Sequence, residues 1–377
     1  MKKVFYRIVL FVNLIFAAGL LLSYMSVYVN PYIFWPAAFF GLIFPFLLLV
    51  NVLFMILWLV RLRKEFLISL IIILLGWGYI KRVVSFHGKI LEKEITETIT
   101  DAKGSDIDNN TSIDLLSYNV RLFNIFNQSK DERAGEKILE LISERKPDLC
   151  CMQELYIDNK NGISLKELKN NLSLTPYSNI AWVNKIGKRE YYGIATFSKF
   201  PIVNKGVIKY PDSKNISIFS DIVIDEDTLR IYNNHLQSVR FVKRNIDFLE
   251  NLDLQSEEET IFEIRDISLR LKNAYIKRAK QADILSEHIQ NSPYRVIVCG
   301  DFNDTPVSYA YRKIKGDLND AFTVSGRGLG NTYSGTFPKV RIDYIFYSDD
   351  FSVSNFRITK EEYSDHYPVS CELSFHH

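Results

Sequence analysis

Two different patterns of apolar positions divide the chain. Residues 8–29 carry no charge over 22 positions, and residues 33–60 carry none over 28. Either run exceeds the ~20 apolar residues needed to cross a hydrocarbon core as a helix. A third run, residues 66–80, has only 15 uncharged positions, and it lengthens to about residue 86 if Lys81 and Arg82 snorkel to the headgroups. Trp35, Trp58, Trp77, Tyr28, Tyr32 and Tyr79 lie near the run ends, where interfacial rings belong. Pro36 and Pro45 would break a soluble helix and are better tolerated in a membrane one. A cleaved signal peptide is the competing reading of the first run, and a buried soluble helix that of the third. The first run is long for a signal peptide, and no convincing small-x-small cleavage site precedes the second.

Beyond the third run the pattern changes. Residues 87–111 hold no sustained apolar period and read as a linker. Short apolar runs then predict strands at 113–120, 148–153, 193–198, 216–224, 229–234, 295–299, 342–347, 351–358 and 369–375. Ala134, Ile138, Leu139 and Ile142 recur at helical spacing in 132–145, and Pro147 ends that helix. Leu271, Ala274, Ala282 and Leu285 mark one face of a second helix over 268–290. Strands dominate with helices between them, which predicts an α/β domain with sheets buried under helices. The expected organisation is a transmembrane region of about three helices at 1–86, a linker at 87–111 and a globular domain at 112–377. No internal repeat is evident.

Composition narrows the class. The 377 residues are 47% hydrophobic and 24% charged, which excludes a disordered chain, a collagen-like chain and a coiled coil. The four cysteines exclude a disulfide framework and lack zinc-site spacing. Cys150, Cys151, Cys299 and Cys371 all fall in expected strands, so buried free thiols are expected, with Cys150 and Cys151 on opposite faces.

The net charge of +2 hides an asymmetry. Residues 1–85 hold eight basic residues and one acid, Glu65, whereas 86–377 hold 38 basic and 43 acidic residues, a net of −5. Lys2, Lys3 and Arg7 precede the first run, and Arg61, Arg63 and Lys64 fill the loop after the second. Positive-inside logic puts both in the cytoplasm, so three spans would place the globular domain outside. The expectation is an integral protein of a bacterial-type inner membrane with a periplasmic domain. Lys81 and Arg82 oppose this orientation, and a third run that fails to cross would make the domain cytoplasmic.

Chemistry-bearing residues recur where strands begin or end. They are Ser117-Tyr118-Asn119, Gln153-Glu154, Asn233-Asn234-His235, Gly300-Asp301-Phe302-Asn303, Arg341-Ile342-Asp343-Tyr344 and Ser364-Asp365-His366-Tyr367-Pro368. One acid after a strand is ordinarily a turn former. Together these groups converge on one crevice in an α/β sheet, where carboxylates and amides suit a hard divalent cation and histidines add acid–base capacity.

With Tyr192-Gly193-Ile194-Ala195-Thr196-Phe197-Ser198, these motifs occur in the order found in the endonuclease/exonuclease/phosphatase superfamily, which residues 113–375 resemble. The resemblance implies a four-layer α/β sandwich, two mixed sheets face to face with helices outside. It implies a Mg²⁺ site, with Mn²⁺ as an alternative, held by Glu154 with Asn119 and Asp365. It casts Asp301 as the group that orients or deprotonates the attacking water, and Asn303 as a holder of that water or a phosphate oxygen. His366, aligned by Asp343, would bind the phosphoryl oxygen, and His235 would donate to the phosphate or the leaving oxygen. These parts fit in-line attack at phosphorus.

Other residues have plainer readings. Arg341 and Tyr344 are expected to support Asp343, and Arg278 and Gln281 to secure a helix to a sheet. Tyr192 either reaches the phosphate or packs, and Thr332 either lines the cleft or does not. His87, His288, His376 and His377 lie outside the motifs. The departure from the family pattern is the stretch of about 60 residues between His235 and Arg295, where one helix is usual. Within it, residues 240–280 carry nine basic and eight acidic residues and read either as a solvated helical excursion or as a gate beside the cleft.

The expected function is therefore a membrane-anchored, Mg²⁺-dependent phosphoesterase. Its substrate is a phosphate ester of nucleic-acid, phospholipid or inositol-phosphate type, its second partner the bilayer, and no protein partner is inferred. The acidic balance of the domain weighs against tight non-specific binding to duplex nucleic acid. An inactive scaffold on the same fold is the alternative, and the intact set of polar residues speaks against it.

Overall fold

The uncharged N-terminal runs fold into a helical unit whose outer faces remain apolar. In the computed structural model, residues 2–86, 110–125, 133–187, 189–251, 256–335 and 338–376 are described. The unit comprises α1 (Lys2–Ser26), α2 (Pro31–Phe34), α3 (Pro36–Leu42), α4 (Phe44–Val60), α5 (Phe66–Leu75) and α6 (Trp77–Val83). Within α1, the 24 residues Lys3–Ser26 are long and apolar enough to cross a membrane.

The other two runs are not continuous helices. Pro36 and Pro45 lack the N–H that an unbroken helix would use, so each falls at the start of a new one, and α3 meets α4 at 60°. The third run breaks at Gly76, where α5 and α6 meet at 68°. A Cβ at Gly76 would lie 2.1 Å from the Tyr24 ring. Each bent pair amounts to a span only if its two pieces count as one.

Polar side chains bind the helices internally. Asn13 on α1 donates to Ser69 on α5 (2.9 Å) and accepts from the Trp58 indole on α4 (3.0 Å). Ser69 in turn donates to Asn51 on α4 at 3.3 Å. Outside, Phe5, Phe11, Ile15, Leu49, Leu53 and Leu74 are exposed. Tyr6 donates to Glu65 and Arg63 covers the Tyr6 ring, so the N terminus and the basic loop share one end.

The opposite end abuts the globular domain. Arg312 covers the Tyr28 ring, Asn30 donates to the Tyr309 hydroxyl (3.2 Å), and Phe39 packs edge-on against Tyr275. Gly41 comes so close that a Cβ would lie 2.1 Å from the Val307 carbonyl oxygen. The chain then enters β1 (Val84–Phe86).

The domain itself follows the predicted alternation. Its first half contains β2 (Asn110–Asn119), α7 (Ala134–Arg145), β3 (Leu149–Asp158), α8 (Leu165–Asn171), β4 (Tyr177–Ile186), β5 (Glu190–Ser198), β6 (Ile202–Lys209), β7 (Ile216–Ile224) and β8 (Asp227–His235). The second half contains α9 (Lys243–Asn251), α10 (Glu257–Gln290), β9 (Arg295–Asp301), α11 (Tyr309–Lys315), β10 (Asn319–Asp320), α12 (Ala321–Ser325), β11 (Arg327–Leu329), β12 (Asp343–Tyr347), β13 (Phe351–Ile358) and β14 (Val369–His376).

Two six-stranded sheets result, in the orders β10-β12-β9-β8-β7-β6 and β13-β14-β2-β3-β5-β4. Each is mixed, with one central parallel pair, β8–β9 in the first and β2–β3 in the second. Leu115, Leu149 and Cys151 from one sheet meet Ile231, Ile297 and Cys299 from the other in the inter-sheet core. Alternation sends Leu116, Cys150 and Met152 to the opposite face, under Ile138 and Ile142 of α7. Val296, Val298 and Tyr232 pack under Ala282 and Leu285 of α10. These are the four layers expected, and all four cysteines are free and buried.

Some boundaries differ from expectation. Asn110 and Thr111 belong to β2 rather than to the linker, whose residues 87–109 lie outside the described ones. Strands β4 and β6 were not anticipated. Helix α10 extends back to Glu257, because Ser256 caps it and Glu257, Glu258 and Glu259 sit at its positive end. A separate two-stranded ribbon pairs β1 with β11, and the Arg341 guanidinium donates to the Arg82 carbonyl at 2.8 Å beside it.

Candidate active site

The sheets bring their polar ends together at one edge of the sandwich. Asn119 ends β2, His235 ends β8, and Asp301 ends β9 opposite His235 in parallel register. Asp343 opens antiparallel β12 opposite Asp301, and Asp365 and His366 lie just before β14. Glu154 sits where the β3–β5 register slips between Met152 and Leu155, with φ +51°. That bulge turns its carboxylate off the strand alternation. Gly300 has φ +126°, and a Cβ there would lie 2.1 Å from the Asn234 carbonyl oxygen, so β8 and β9 approach only because it is glycine.

Asp301 is the hub. Its Oδ2 accepts from the amides of Asn119 (2.9 Å) and Asn303 (2.9 Å), and its Oδ1 accepts from the Asn303 backbone N–H (2.8 Å). Asn303 adopts φ +54°, the left-handed turn that folds its amide back. Burial, opposed by the His366 charge, pushes the Asp301 carboxyl up to about 6.

Two histidines flank this carboxylate in different states. His366 Nδ1 faces Asp343 Oδ2 at 2.9 Å, and its Nε2 stands 3.7 Å from Asp301 Oδ2. Burial pulls its pKa down, but the Asp343 and Asp301 charges outweigh this and hold it well above the usual imidazole value. Burial dominates at His235 and lowers its pKa. His235 Nε2 is buried without a hydrogen bond, 3.5 Å from Glu154 Oε1 and 3.8 Å from Asp301 Oδ2.

Arg121 follows the Ser117-Tyr118-Asn119 motif two residues on, and the structure gives it a role. Residues Arg121, Leu122, Phe123 and Asn124 all have positive φ (41°, 54°, 52°, 58°). At Arg121, Leu122 and Phe123 this costs about 1–2 kcal/mol each relative to a right-handed turn, whereas asparagine tolerates it more readily. The turn delivers the Arg121 guanidinium to Asp365, with Nε 3.2 Å from Oδ2. Arg121, Glu154, Arg240, Asp301, Tyr333 and His366 share one cavity of about 550 Å³. Arg240 and Tyr333 escaped the sequence reading, since nothing in their spacing sets them apart. The Tyr333 ring packs edge-on to His366 at 5.4 Å.

The plainer residues also have places. Thr332 is fully buried and its hydroxyl accepts from the Ile342 and Asp343 N–H groups, so it holds the entry to β12. Arg341 forms a two-pronged pair with Asp320, and Tyr344 donates to the Arg341 and Asp304 carbonyls. Arg278 on α10 pairs with Asp304 (3.1 Å) and donates to the Gln237 carbonyl, while Gln281 accepts from the Gln237 N–H. Both therefore secure helix to loop. Burial, then the Glu154 charge, raises the Tyr192 hydroxyl pKa. His288 packs against Tyr232, His376 ends β14, and His87 and His377 lie outside the described residues.

The donor set fits a divalent cation. Asp301, Asp343 and His366 place ligand atoms within 4.8 Å of one another. However, His366 Nδ1 is engaged by Asp343, so this trio reads as an acid–base group. Hard oxygens crowd beside it at Glu154 and Asp365, with the Asn119 amide adjacent. Burial, then the Asp365 charge, raises the Glu154 carboxyl pKa, a repulsion that a bound cation relieves.

Comparison with known proteins identifies the family and the fold. Residues 116–366 match the model of the Endonuclease/Exonuclease/phosphatase family. Residues 6–83 match a second model, a domain of unknown function (DUF8431). No curated protein matches the chain. An endonuclease/exonuclease/phosphatase from Beutenbergia cavernae DSM 12333 is similar in structure, with TM-score 0.50 and 15% identity over 70% of this chain and 72% of that one. The human Nocturnin catalytic domain with bound sulfate anion is similar at TM-score 0.50 and 19% identity, over 72% of this chain and 96% of that one. Both likenesses are of fold. A family match across most of the globular domain, on a sandwich whose polar strand ends meet around Asp301, places the chain in the endonuclease/exonuclease/phosphatase family of phosphate-ester hydrolases.

Proposed function

We infer that the chain is a membrane-anchored, divalent-metal-dependent phosphoesterase that hydrolyses its substrate by in-line attack of water. The observation that carries this reading is the setting of Asp301, a buried carboxylate fixed by two amides between a charged and a neutral histidine. A base with a pKa near neutrality suits proton removal from water.

The water oxygen bonds to phosphorus as the bond to the leaving oxygen breaks. Asp301 accepts the water's proton, and Asn303 keeps Asp301 aimed. His366, held by Asp343, donates from Nε2 to a phosphoryl oxygen, and Arg121 and Arg240 add positive charge at the cavity wall. Neutral His235 takes at its unpartnered Nε2 the proton that Asp301 removed from water, 3.8 Å away, and passes it to the leaving oxygen. Glu154 and Asp365, with Asn119, would hold Mg²⁺ or Mn²⁺, which supplies charge neutralisation at the phosphate.

The helical unit supports anchoring. The N terminus and the basic loop lie at one end and the catalytic domain at the other. With the cations facing the cytoplasm, the domain is periplasmic.

A panel assay of the full-length protein with Mg²⁺ tests the reading. Plasmid DNA, RNA, phospholipids and bis(4-nitrophenyl) phosphate are offered to wild type and to Asp301→Asn. Hydrolysis of at least one substrate by wild type, lost in the variant, is expected. Equal rates for both proteins would refute the assigned site.

A further inference from the structure

The cavity that holds the catalytic cluster has a second wall of another character. Val239, Phe241, Ile246, Leu249, Ile267 and Leu271 line it, all from the stretch that departs from the family pattern. Leu42, the last residue of α3 in the helical unit, lines the same cavity. Its volume lies within the range of pockets that enclose small ligands.

That wall is built. Helix α9 leans on α10 through a polar clasp. Asn245 donates to Glu263 and Asp266 (both 2.9 Å), Arg244 pairs with Glu263, and Arg270 pairs with Asp266 (2.9 Å). With charge spent on the clasp, Ile246 and Leu249 are left to face the cavity with Ile267 and Leu271.

The wall also lies beside the bilayer-facing unit. Along α10, Asp283, Lys280, Tyr275 and Lys272 meet Asn30, Tyr32, Phe39 and Trp35 of α2 and α3 and their flanking residues. The preceding turns of this 34-residue helix continue past the unit and expose Ile261, Phe262, Ile264 and Leu269. Exposed apolar side chains there match a surface set at the membrane interface.

We propose that the apolar half of this cavity holds an acyl chain of a membrane phospholipid whose phosphoester lies at the catalytic half. A lipid leaving the bilayer loses the burial of its chain, about 0.8 kcal/mol per methylene. An apolar wall contiguous with the phosphate site restores that burial at the moment of reaction. A nucleic acid or a free inositol phosphate would leave the wall uncovered, and the net of −5 over residues 86–377 repels a polyanion. The assignment rests on the phosphoesterase reading and names its substrate class.

Photolabelling of the full-length protein tests it. The protein is reconstituted in phosphatidylcholine–phosphatidylglycerol vesicles containing phosphatidylglycerol with a diazirine in one acyl chain. Peptide mapping is expected to find label in residues 239–249 and 267–275 as well as in the helical unit. Ile246→Trp fills the wall with bulk and Leu271→Glu charges it, and each is expected to reduce cavity labelling about tenfold. Label confined to residues 2–83 in the wild type, with bis(4-nitrophenyl) phosphate still hydrolysed, overturns the acyl-chain site and leaves the phosphoesterase intact. Cavity labelling without hydrolysis of any phosphate ester upholds the acyl-chain site and removes the hydrolase.

Discussion

The Asn119 amide donates to the Asp301 carboxylate at 2.9 Å, and the two residues belong to different sheets. Asn119 ends a strand of one layer and Asp301 a strand of the other, so this bond crosses the sandwich at its catalytic edge. Beneath it Gln153 and Asn233 repeat the crossing at 2.7 Å. The position of the base is thus set by how the sheets stack.

Asp301→Asn keeps the shape and removes the proton acceptor. Turnover should fall by about 10²–10⁴-fold, the usual contribution of a positioned base. Calorimetry with Mn²⁺ should find metal affinity little changed. Comparable losses of affinity and turnover would place Asp301 among the ligands instead.

Glu154→Gln should act through the metal. Chelation of the wild-type protein should abolish activity, and the variant should need more Mg²⁺ for half-maximal rate, with excess Mg²⁺ restoring part of it. A Mg²⁺ titration identical to that of wild type would assign the cation elsewhere.

His366→Ala removes a donor to developing charge, an interaction worth about 3–4 kcal/mol when preorganised. Its loss should appear in kcat more than in KM. Asp343→Asn should fall short of that loss, because the imidazole remains while its alignment and charge weaken. A KM effect alone would make His366 a ground-state binder.

Arg278 is buried, and its removal leaves Asp304 without its cation inside the protein. Arg278→Ala should lower stability by about 3–5 kcal/mol, the cost of orphaning one member of a buried pair. Thermal unfolding of the full chain in detergent measures it. An unchanged midpoint would mean that the helix is secured by its apolar face alone.

Topology is open to fusion reporters. Alkaline phosphatase joined after Lys103 should be active and after Lys64 inactive, because only the first site would lie outside the cytoplasm. The reverse pattern would put the catalytic domain in the cytoplasm.

The polar strand ends were legible because they are local. Each motif joins an apolar run to a turn, so order alone brought Glu154, His235, Asp301, Asp343 and His366 into view. Backbone conformation was not legible. The left-handed turn at Arg121–Asn124 occupies ordinary residues whose φ is set by packing, so the arrival of Arg121 at Asp365 left no trace in the pattern. Strand β6 alternates too weakly to read, because Val203, Asn204 and Lys205 all face solvent. The breaks in the second and third runs were marked by Pro36, Pro45 and Gly76, but hydropathy overrode these markers. The apolar cavity wall needed two helices to be brought side by side, which residue spacing within 240–280 does not encode.

Strand β1 follows directly on α6 and pairs with β11, with Ser85 donating to the Gly326 carbonyl and the Gly330 N–H to that of Val83. The chain is therefore fastened to the catalytic domain before residues 87–109 begin, and lengthening that segment cannot extend the enzyme's reach. Under the proposed anchoring, the active site would stay at a fixed height above its own leaflet. For the proposed lipid substrate, encounter would then be a search in two dimensions, with a rate that follows the mole fraction of substrate in that leaflet and is diluted by inert lipid at constant bulk concentration.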